Sequence, residues 1–286
     1  SLHTDELMKA VLARPELRTK RRLSHVFRFD VPTYHKPLLV TDAGFLGTGL
    51  LDAPIASLEQ HDIRVSVYSD VIADPPEAVV LSAVDFARDA GADIVIGIGG
   101  GSSMDVAKLI AVLAASDQPI ASAYGIGNVK GSRLPLVQIP TTAGTGSEVT
   151  NIAIVTTGET TKTGVVAPQL YADMAVLDAT LTLGLPPLVT ATTGMVHAIE
   201  AFTSKHKKNP LSDLLAKQAL SLLSKNLVRA CQHGQDIEAR QAMLVGACLA
   251  LLAQRVPEAH ELAAFSEALS EVAVPFPAVP EGAIDV

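Results

Sequence analysis

The sequence predicts an α/β unit built on a parallel sheet over residues 1–180, followed by an all-helical unit over residues 181–286. Three observations predict it. Short, mostly β-branched apolar runs alternate with helical patterns in the first part. After Thr180 the strand signal fades, and leucines and alanines recur at helical spacing. Between a strand-like run and a helix-like one, at residues 94–110, stand three consecutive glycines.

Residues 1–25 read as largely helical and charged, with Pro15 interrupting the pattern and Lys20-Arg21-Arg22 as a solvated basic run. From Pro37 the rhythm changes. Leu38-Leu39-Val40, Arg64–Tyr68, Ile94-Val95-Ile96, Leu136–Ile139, Ile152–Val155 and Met174–Asp178 have the length and branching of buried strands. Pro76–Ala90 and Met104–Ala115 carry helical patterns between the early strands, and such alternation implies a parallel sheet covered on both faces. Beyond Thr180, Leu211, Leu214, Leu215, Ala219, Leu222, Leu223 and Leu227 form one apolar helix stripe, and Ala239–Val256 forms a second apolar helix. Pro275, Pro277 and Pro280 exclude regular helix at the end.

The 286 residues are 48% hydrophobic and 18% charged, enough for one large domain or two medium ones. A net charge of −8 argues against a nucleic-acid partner, although backbone amides still bind a small anion locally. Cys231 and Cys248 belong to no Cys-x-x-Cys and read as free thiols of a reducing cytosol. No apolar run is expected to be long enough to span a bilayer, and the polar Ser1–Glu6 stretch has no signal-like apolar core. A cytoplasmic protein with no membrane partner is therefore expected.

The glycine junction carries the chemistry. Where a strand end meets a helix start, free N–H groups and the helix dipole favour an anion. Glycines let a phosphate approach without a Cβ in the way. A tight turn alone needs one glycine, whereas Gly99, Gly100 and Gly101 precede Ser102 and Ser103. The run is neither the usual dinucleotide fingerprint, since Ser102 stands where its third glycine would be, nor a Walker sequence. A second hydroxyl- and glycine-rich segment, Pro140–Thr150, follows the strand ending at Ile139, which suggests that both turns line one crevice. Asp42 closes an upstream strand and reads equally well as a ribose-binding carboxylate or as a turn or cap aspartate.

Together these residues resemble the iron-containing (group III) alcohol dehydrogenase family. The resemblance rests on Val40-Thr41-Asp42, on Gly99-Gly100-Gly101-Ser102 with Asp105 and Ala107-Lys108, and on Pro140–Thr150. It continues in Leu185-Pro186-Pro187, Thr193-Gly194-Met195 and His197–Ala201, and runs from about residue 27 to residue 250. It implies a Rossmann-like nucleotide domain and an all-α domain, in the dehydroquinate synthase-like arrangement, with the active site between them. It also implies NAD and Fe2+, or Zn2+, as cofactors. Gly99, Gly100, Gly101 and Ser102 would hold the pyrophosphate, and Asp105 would belong to the same cofactor-binding set. Asp42 would face the adenosine ribose and disfavour a 2′-phosphate. Thr141, Thr142 and Thr150 would line the cofactor cleft, and Lys162 would reach the nicotinamide-side ribose. Asp74 stands where some members carry Asn and is left out of the expected site.

The metal part departs from the family pattern. The family places an Asp four residues before the first His ligand, and two more His further on. His197 matches the first His, but Thr193 stands four residues before it, as though an Asp-Ala-Leu-like piece were missing after Met195. A loss of three residues rotates His197 by about 300° on the helix. After Ala250 the expected His-rich segment is replaced by Leu251–Pro257, and the later His260 stands on a charged stretch that suits no ligand. A strand and glycine turn are also missing near Tyr34–Pro37. One explanation is a protein that keeps nucleotide binding without its metal site. The preferred one is a longer chain whose mobile ligand segments have dropped out. That predicts Cα separations well beyond about 3.8 Å at Met195–Val196 and at one pair near Ala250–Leu252. His3, His25, His35, His61, His206 and His233 have no metal-ligand spacing.

The resemblance thus implies a metal-dependent alcohol dehydrogenase passing hydride between a small primary alcohol or aldehyde and NAD(H), working as a homodimer or higher homo-oligomer. A polyol dehydrogenase or maleylacetate-type reductase on the same fold, or a metal-free nucleotide-binding protein, are the alternatives.

Overall fold

The computed structural model describes residues 34–186, 193–205 and 208–255. The expected N-terminal helix, His3, His25, His206, His260 and the proline-rich end lie outside the described residues. In chain order the strands are β1 (Pro37–Asp42), β2 (Ser66–Val71), β3 (Ile94–Gly99), β4 (Gly125–Ile126), β5 (Leu136–Pro140), β6 (Ile152–Thr157), β7 (Thr161–Val166) and β8 (Met174–Ala175). The helices are α1 (Ala43–Leu46), α2 (Asp52–Glu59), α3 (Glu77–Asp89), α4 (Gly101–Leu113), α5 (Ile120–Ala123), α6 (Thr193–Thr203), α7 (Pro210–Gln232) and α8 (Ile237–Arg255).

Five strands form an all-parallel sheet in the order β2-β1-β3-β5-β8. Its central strand β3 is buried along its whole length, as a continuous apolar run between two neighbours requires. The sheet is covered on both sides. On α3, Val80, Ala83, Val84 and Ala87 recur at helical spacing and are buried in the core that also holds Leu38, Val40 and Val95. On the other face Leu39, Ile96, Ile98, Val137 and Ile139 pack with Leu51 and Leu58 from the α2 segment. Helix α4 is buried on nearly every side from Met104 to Leu113 because it lies between two layers of structure. Its close approach needs Gly97, where a Cβ would stand 2.4 Å from Gln138 Oε1 and 2.7 Å from the Ala107 Cβ.

The second layer differs from the sequence expectation. The Ile152–Val155 run does not join the parallel sheet. It lies in β6, which pairs antiparallel with β7 in a separate three-stranded sheet of order β4-β7-β6. Thr161-Lys162-Thr163-Gly164 has no apolar run to announce a strand. It is held there by its pairing with β6 and not by local propensity.

The helical part is built from α6, α7 and α8 packed on one another, with Ala198, Ala219, Leu223, Met243, Leu244 and Ala247 in one core. Helix α7 starts at a capping box in which Asn209 accepts from Ser212 N, with Pro210 in the first turn. Helix α8 is the one described helix that approaches spanning length. Its 19 residues are long and apolar enough to cross a membrane by length and composition, yet 61% of that window is buried inside the protein. The expected chain breaks are absent: α6 runs continuously through Met195 and Val196, and α8 through Ala250–Leu252.

Candidate functional site

In this sheet β1 leads outward to β2, and the chain then crosses back to β3 on the other side of β1. The reversal leaves a crevice at the carboxyl ends of β1 and β3, where open α/β sheets bind ligands. Asp42 ends β1 and Gly99 ends β3, so the first two predicted positions flank that crevice. Gly99 has φ +152°, and a Cβ on it would meet Ser103 Oγ at 2.7 Å, so only glycine fits. Asp42 Oδ2 lies 3.6 Å from that same virtual Cβ. Asp42 also caps α1, its Oδ1 accepting from Phe45 N at 2.9 Å, so the cap reading holds while Oδ2 still faces the glycine turn.

Helix α4 begins inside the turn. Gly100 is its N-cap, no side chain caps it, and no acidic residue lies in its first turn. The positive end of a 13-residue helix is thereby left without an internal anion. The second predicted loop closes over the same place. Thr141 N donates to Gly99 O at 2.9 Å, and Thr145 lies 3.0 Å from where a Cβ on Gly101 would stand. A Cβ on Gly100 would meet only Thr142, at 3.8 Å or more, and the Thr142 Oγ1 is buried without a partner. An uncapped helix start, a bare backbone and an unpaired hydroxyl together fit a diphosphate.

Behind the turn lies a buried polar network. The Lys108 ammonium is wholly enclosed and donates to Ser147 Oγ at 2.7 Å, Thr150 Oγ1 at 3.1 Å and Ile152 O at 2.7 Å. Asp105 accepts from Ser147 Oγ at 2.6 Å and from Ile154 N at 3.0 Å, with Lys108 Nζ at 3.4 Å. Burial pulls the Lys108 pKa down, and the Asp105 charge opposes that. Of the predicted site residues, Asp105 and Thr150 therefore bond inward and fix the second loop to α4, while Gly99, Gly100, Gly101, Ser102, Thr141 and Thr142 are gathered at the turn. Next to Ser147, Glu148 is buried against Cys248 of α8; burial pushes its carboxyl up to about 7, against the pull of Lys108 and the Cys248 thiol.

Lys162 stands on β7, and its Nζ donates to Asp74 Oδ1 at 2.6 Å. Asp74 is thus a residue at the site's edge that sequence reasoning passed over. Its backbone carries the signal: it has φ +51°, rare for a residue that is not glycine.

His197 lies on α6. Its Nδ1 is buried without a partner, and its carbonyl accepts from Gln254 Nε2 at 3.2 Å. An unpaired imidazole nitrogen suits a metal ligand. Among the described residues, however, no group of three or more His, Cys, Asp or Glu stands together to hold a metal ion. These residues fit a dinucleotide and do not complete a metal site.

Comparison with known proteins places the chain among similar ones. The family model described as iron-containing alcohol dehydrogenase matches residues 23–179, and the model for the C-terminal part of that family matches residues 189–264. The chain is 45% identical to long-chain-alcohol dehydrogenase 1 of Geobacillus thermodenitrificans over 222 residues, 76% of this chain and 56% of that protein. It is 39% identical to sulfoacetaldehyde reductase of Bilophila wadsworthia over 75% of this chain and 56% of that one. Among solved structures, sulfoacetaldehyde reductase from Bifidobacterium kashiwanohense in complex with NAD+ superposes with a TM-score of 0.72 at 34% identity, covering 77% of this chain and 59% of that one. The chain thus spans little more than half the length of the relatives it matches.

Proposed function

The chain belongs to the iron-containing alcohol dehydrogenase family, and on that premise we propose that it is an NAD(H)-dependent oxidoreductase passing hydride between a small primary alcohol and its aldehyde. One observation carries the reading: the uncapped start of α4 at the switch point, with Gly100 bare and the Thr142 hydroxyl unpaired beside it. The amides of Gly101 and Ser102 and the Thr142 hydroxyl donate to the diphosphate. Asp42 accepts from the adenosine ribose hydroxyls and repels a 2′-phosphate, favouring NAD over NADP. Thr141 holds the second loop against Gly99 through its backbone, and Lys162 stands at the edge of the turn. Asp105 and Thr150 act as positioning residues through Lys108. NAD, when bound, supplies the nicotinamide ring that accepts or returns the hydride.

The reading assigns residues 1–180 to the cofactor and residues 181–286 to the substrate and metal, with His197 as the one matching iron ligand. Because the described residues do not complete an iron site, no proton or hydride step is routed through a metal. The same reading includes a cytoplasmic homodimer or higher homo-oligomer acting on a small-molecule alcohol or aldehyde, without nucleic-acid or membrane partners.

The change in NADH's own fluorescence on titration with the protein tests the cofactor site, and absence of binding overturns the proposal. Asp42→Gly should relax the preference towards NADPH; unchanged selectivity removes Asp42 from the ribose site. A panel of small alcohols and aldehydes, followed by NADH absorbance in iron-loaded and zinc-loaded protein, tests turnover. Thr193 in place of a carboxylate before His197 favours a second reading, a metal-free nucleotide-binding protein. Tight NADH binding with no metal uptake and no turnover selects it.

A further inference from the structure

One stripe of helix α8 runs along the end of the second loop. Cys248, Leu251 and Arg255 stand at i, i+3 and i+7 and so share a face. Each meets a different loop residue. The Cys248 thiol donates to the Glu148 carboxyl. A Cβ on Gly146 would overlap Leu251 Cγ, so loop and helix touch there through bare backbone. Arg255 Nη1 donates to Asn151 Oδ1 at 3.1 Å. Between these points Glu148 is 3% exposed, and its Oε2 is buried without a hydrogen-bond partner. The other end of the same loop lies on the glycine turn. Thr141 N donates to Gly99 O, and Thr145, three residues before Glu148, stands beside Gly101. Glu148 is thus a carboxyl set into the seam that seats the loop, and the cofactor reading above gives it no part.

We propose that Glu148 is a positioning residue for the cofactor: in its neutral form it seats the second loop between the glycine turn and α8, and on ionising it unseats the loop, so that dinucleotide binding weakens as pH rises. The inference rests on the assignment of the turn to a dinucleotide. A neutral carboxyl is tolerated in an apolar seam, whereas a carboxylate there needs partners for both oxygens. The groups around it have little to offer. From α4, Lys108 is already shared among Ser147, Thr150 and the Ile152 carbonyl, with Asp105 beside it. From α8, Cys248 supplies a single weak donor, and Arg255 is bound to Asn151. An ionised Glu148 must draw Lys108 off the loop or draw water into the seam, and either displaces Ser147–Val149. Burial raises the carboxyl to about 7, against the pull of its own backbone N–H, Lys108 and the thiol. Once the loop is unseated the carboxyl meets water and titrates near 4.5. Between those values the seated loop keeps a proton that the unseated loop releases. Seating is therefore strongest at low pH, weakens as pH rises towards 7, and then levels off.

NAD+ is the probe, because NADH decomposes in acid, and isothermal titration calorimetry of the full chain from about pH 5.5 to about pH 8 is the measurement. The apparent dissociation constant varies inversely with the seated fraction. A loop seated nearly always at the acid end and about a fifth of the time above neutrality gives a rise of about five-fold, then a plateau. Glu148→Gln keeps the shape and the neutral state, so its dissociation constant should stay within about two-fold of the acid-end value throughout. A residue with only a structural role would change affinity equally at every pH. Cys248→Ala removes a donor that favours the charged form, so the step should move to higher pH. This variant tests the proposal even if Glu148→Gln fails to fold. A flat or falling dissociation constant in the unsubstituted chain, an unchanged profile in Glu148→Gln, or a step left in place by Cys248→Ala overturns the proposal and leaves the cofactor assignment standing. Absence of NAD+ binding by the unsubstituted chain at every pH overturns both.

Discussion

The α/β side and the helical side of this molecule meet over one loop, Pro140–Thr150, and bring opposite things to it. The α/β side brings bare backbone: an uncapped helix start, Gly100 with room beside it up to Thr142, and a hydroxyl without a partner. The helical side brings bulk. Leu251 of α8 fills the space beside Gly146, and Cys248 lies against Glu148. The difference teaches what each kind of site demands. A phosphate turn is a property of chain path, and a handful of glycines specify it. A metal centre needs several particular side chains at fixed helical offsets, and a loss of three residues destroys that register.

The contrast breaks most sharply at Gly99. Gly99→Ala puts a methyl 2.7 Å from Ser103 Oγ on a backbone with φ +152°, so the turn and the first turn of α4 must move together. Losing one charge-assisted hydrogen bond to the diphosphate costs about 2 kcal/mol, or roughly thirty-fold in NADH affinity. Fluorescence titration measures this; retained affinity would mean that the diphosphate does not sit on that backbone.

Gly146→Ala tests the other side of the loop. The added methyl would overlap Leu251 Cγ, which stands 2.3 Å away, at φ +55°. Overpacking of this kind costs about 1–3 kcal/mol. The melting temperature should fall while NADH affinity changes far less than for Gly99→Ala, since the damage lies at the seam with α8. A loss of affinity equal to that of Gly99→Ala would show that the seam itself shapes the turn.

Glu148 gives the seam a pH dependence. Its carboxyl titrates near 4.5 in the unfolded chain and at about 7 in the folded one. Between those values the folded chain holds a proton that the unfolded chain releases. Stability from this group therefore falls as pH rises from 4.5 towards 7, and then levels off. The fall amounts to about 3 kcal/mol at most, at roughly 1.4 kcal/mol per unit. Glu148→Gln removes the proton exchange, so urea denaturation from pH 5 to pH 8 should show a flatter profile for the variant. Parallel profiles would place the wild-type dependence elsewhere.

Much of the α/β side was legible in the sequence, because its strands and the glycine turn obey local rules. The run Ile94–Ile98 can only be a central strand, and three glycines before a helical pattern announce the turn. The second sheet was not legible in the same way. β7 is polar and takes its shape from β6, and β6 itself reads like one more core strand. The inward turn of Asp105 and Thr150 was equally hidden. Both stand in the two segments singled out by their glycines and hydroxyls, and only the fold shows that Lys108 lies buried between them. Asp74 was left out because some members of the family carry Asn there; its partners Ser102 and Lys162 stand 28 and 88 residues away in the chain.

The smallest effect is expected at the residue that looks most like a ligand. His197 keeps an unpaired buried Nδ1, and its neighbours along α6 and α8 offer Glu200 and Gln254, which bond each other at 3.0 Å. Among the described contacts, none of these touches the glycine turn. His197→Ala should therefore leave NADH affinity within about two-fold, the scale of a surface change remote from the ligand. If affinity instead drops as far as for Gly99→Ala, the imidazole reaches the dinucleotide directly, and the division between a backbone-built cofactor side and a side-chain-built helical side fails.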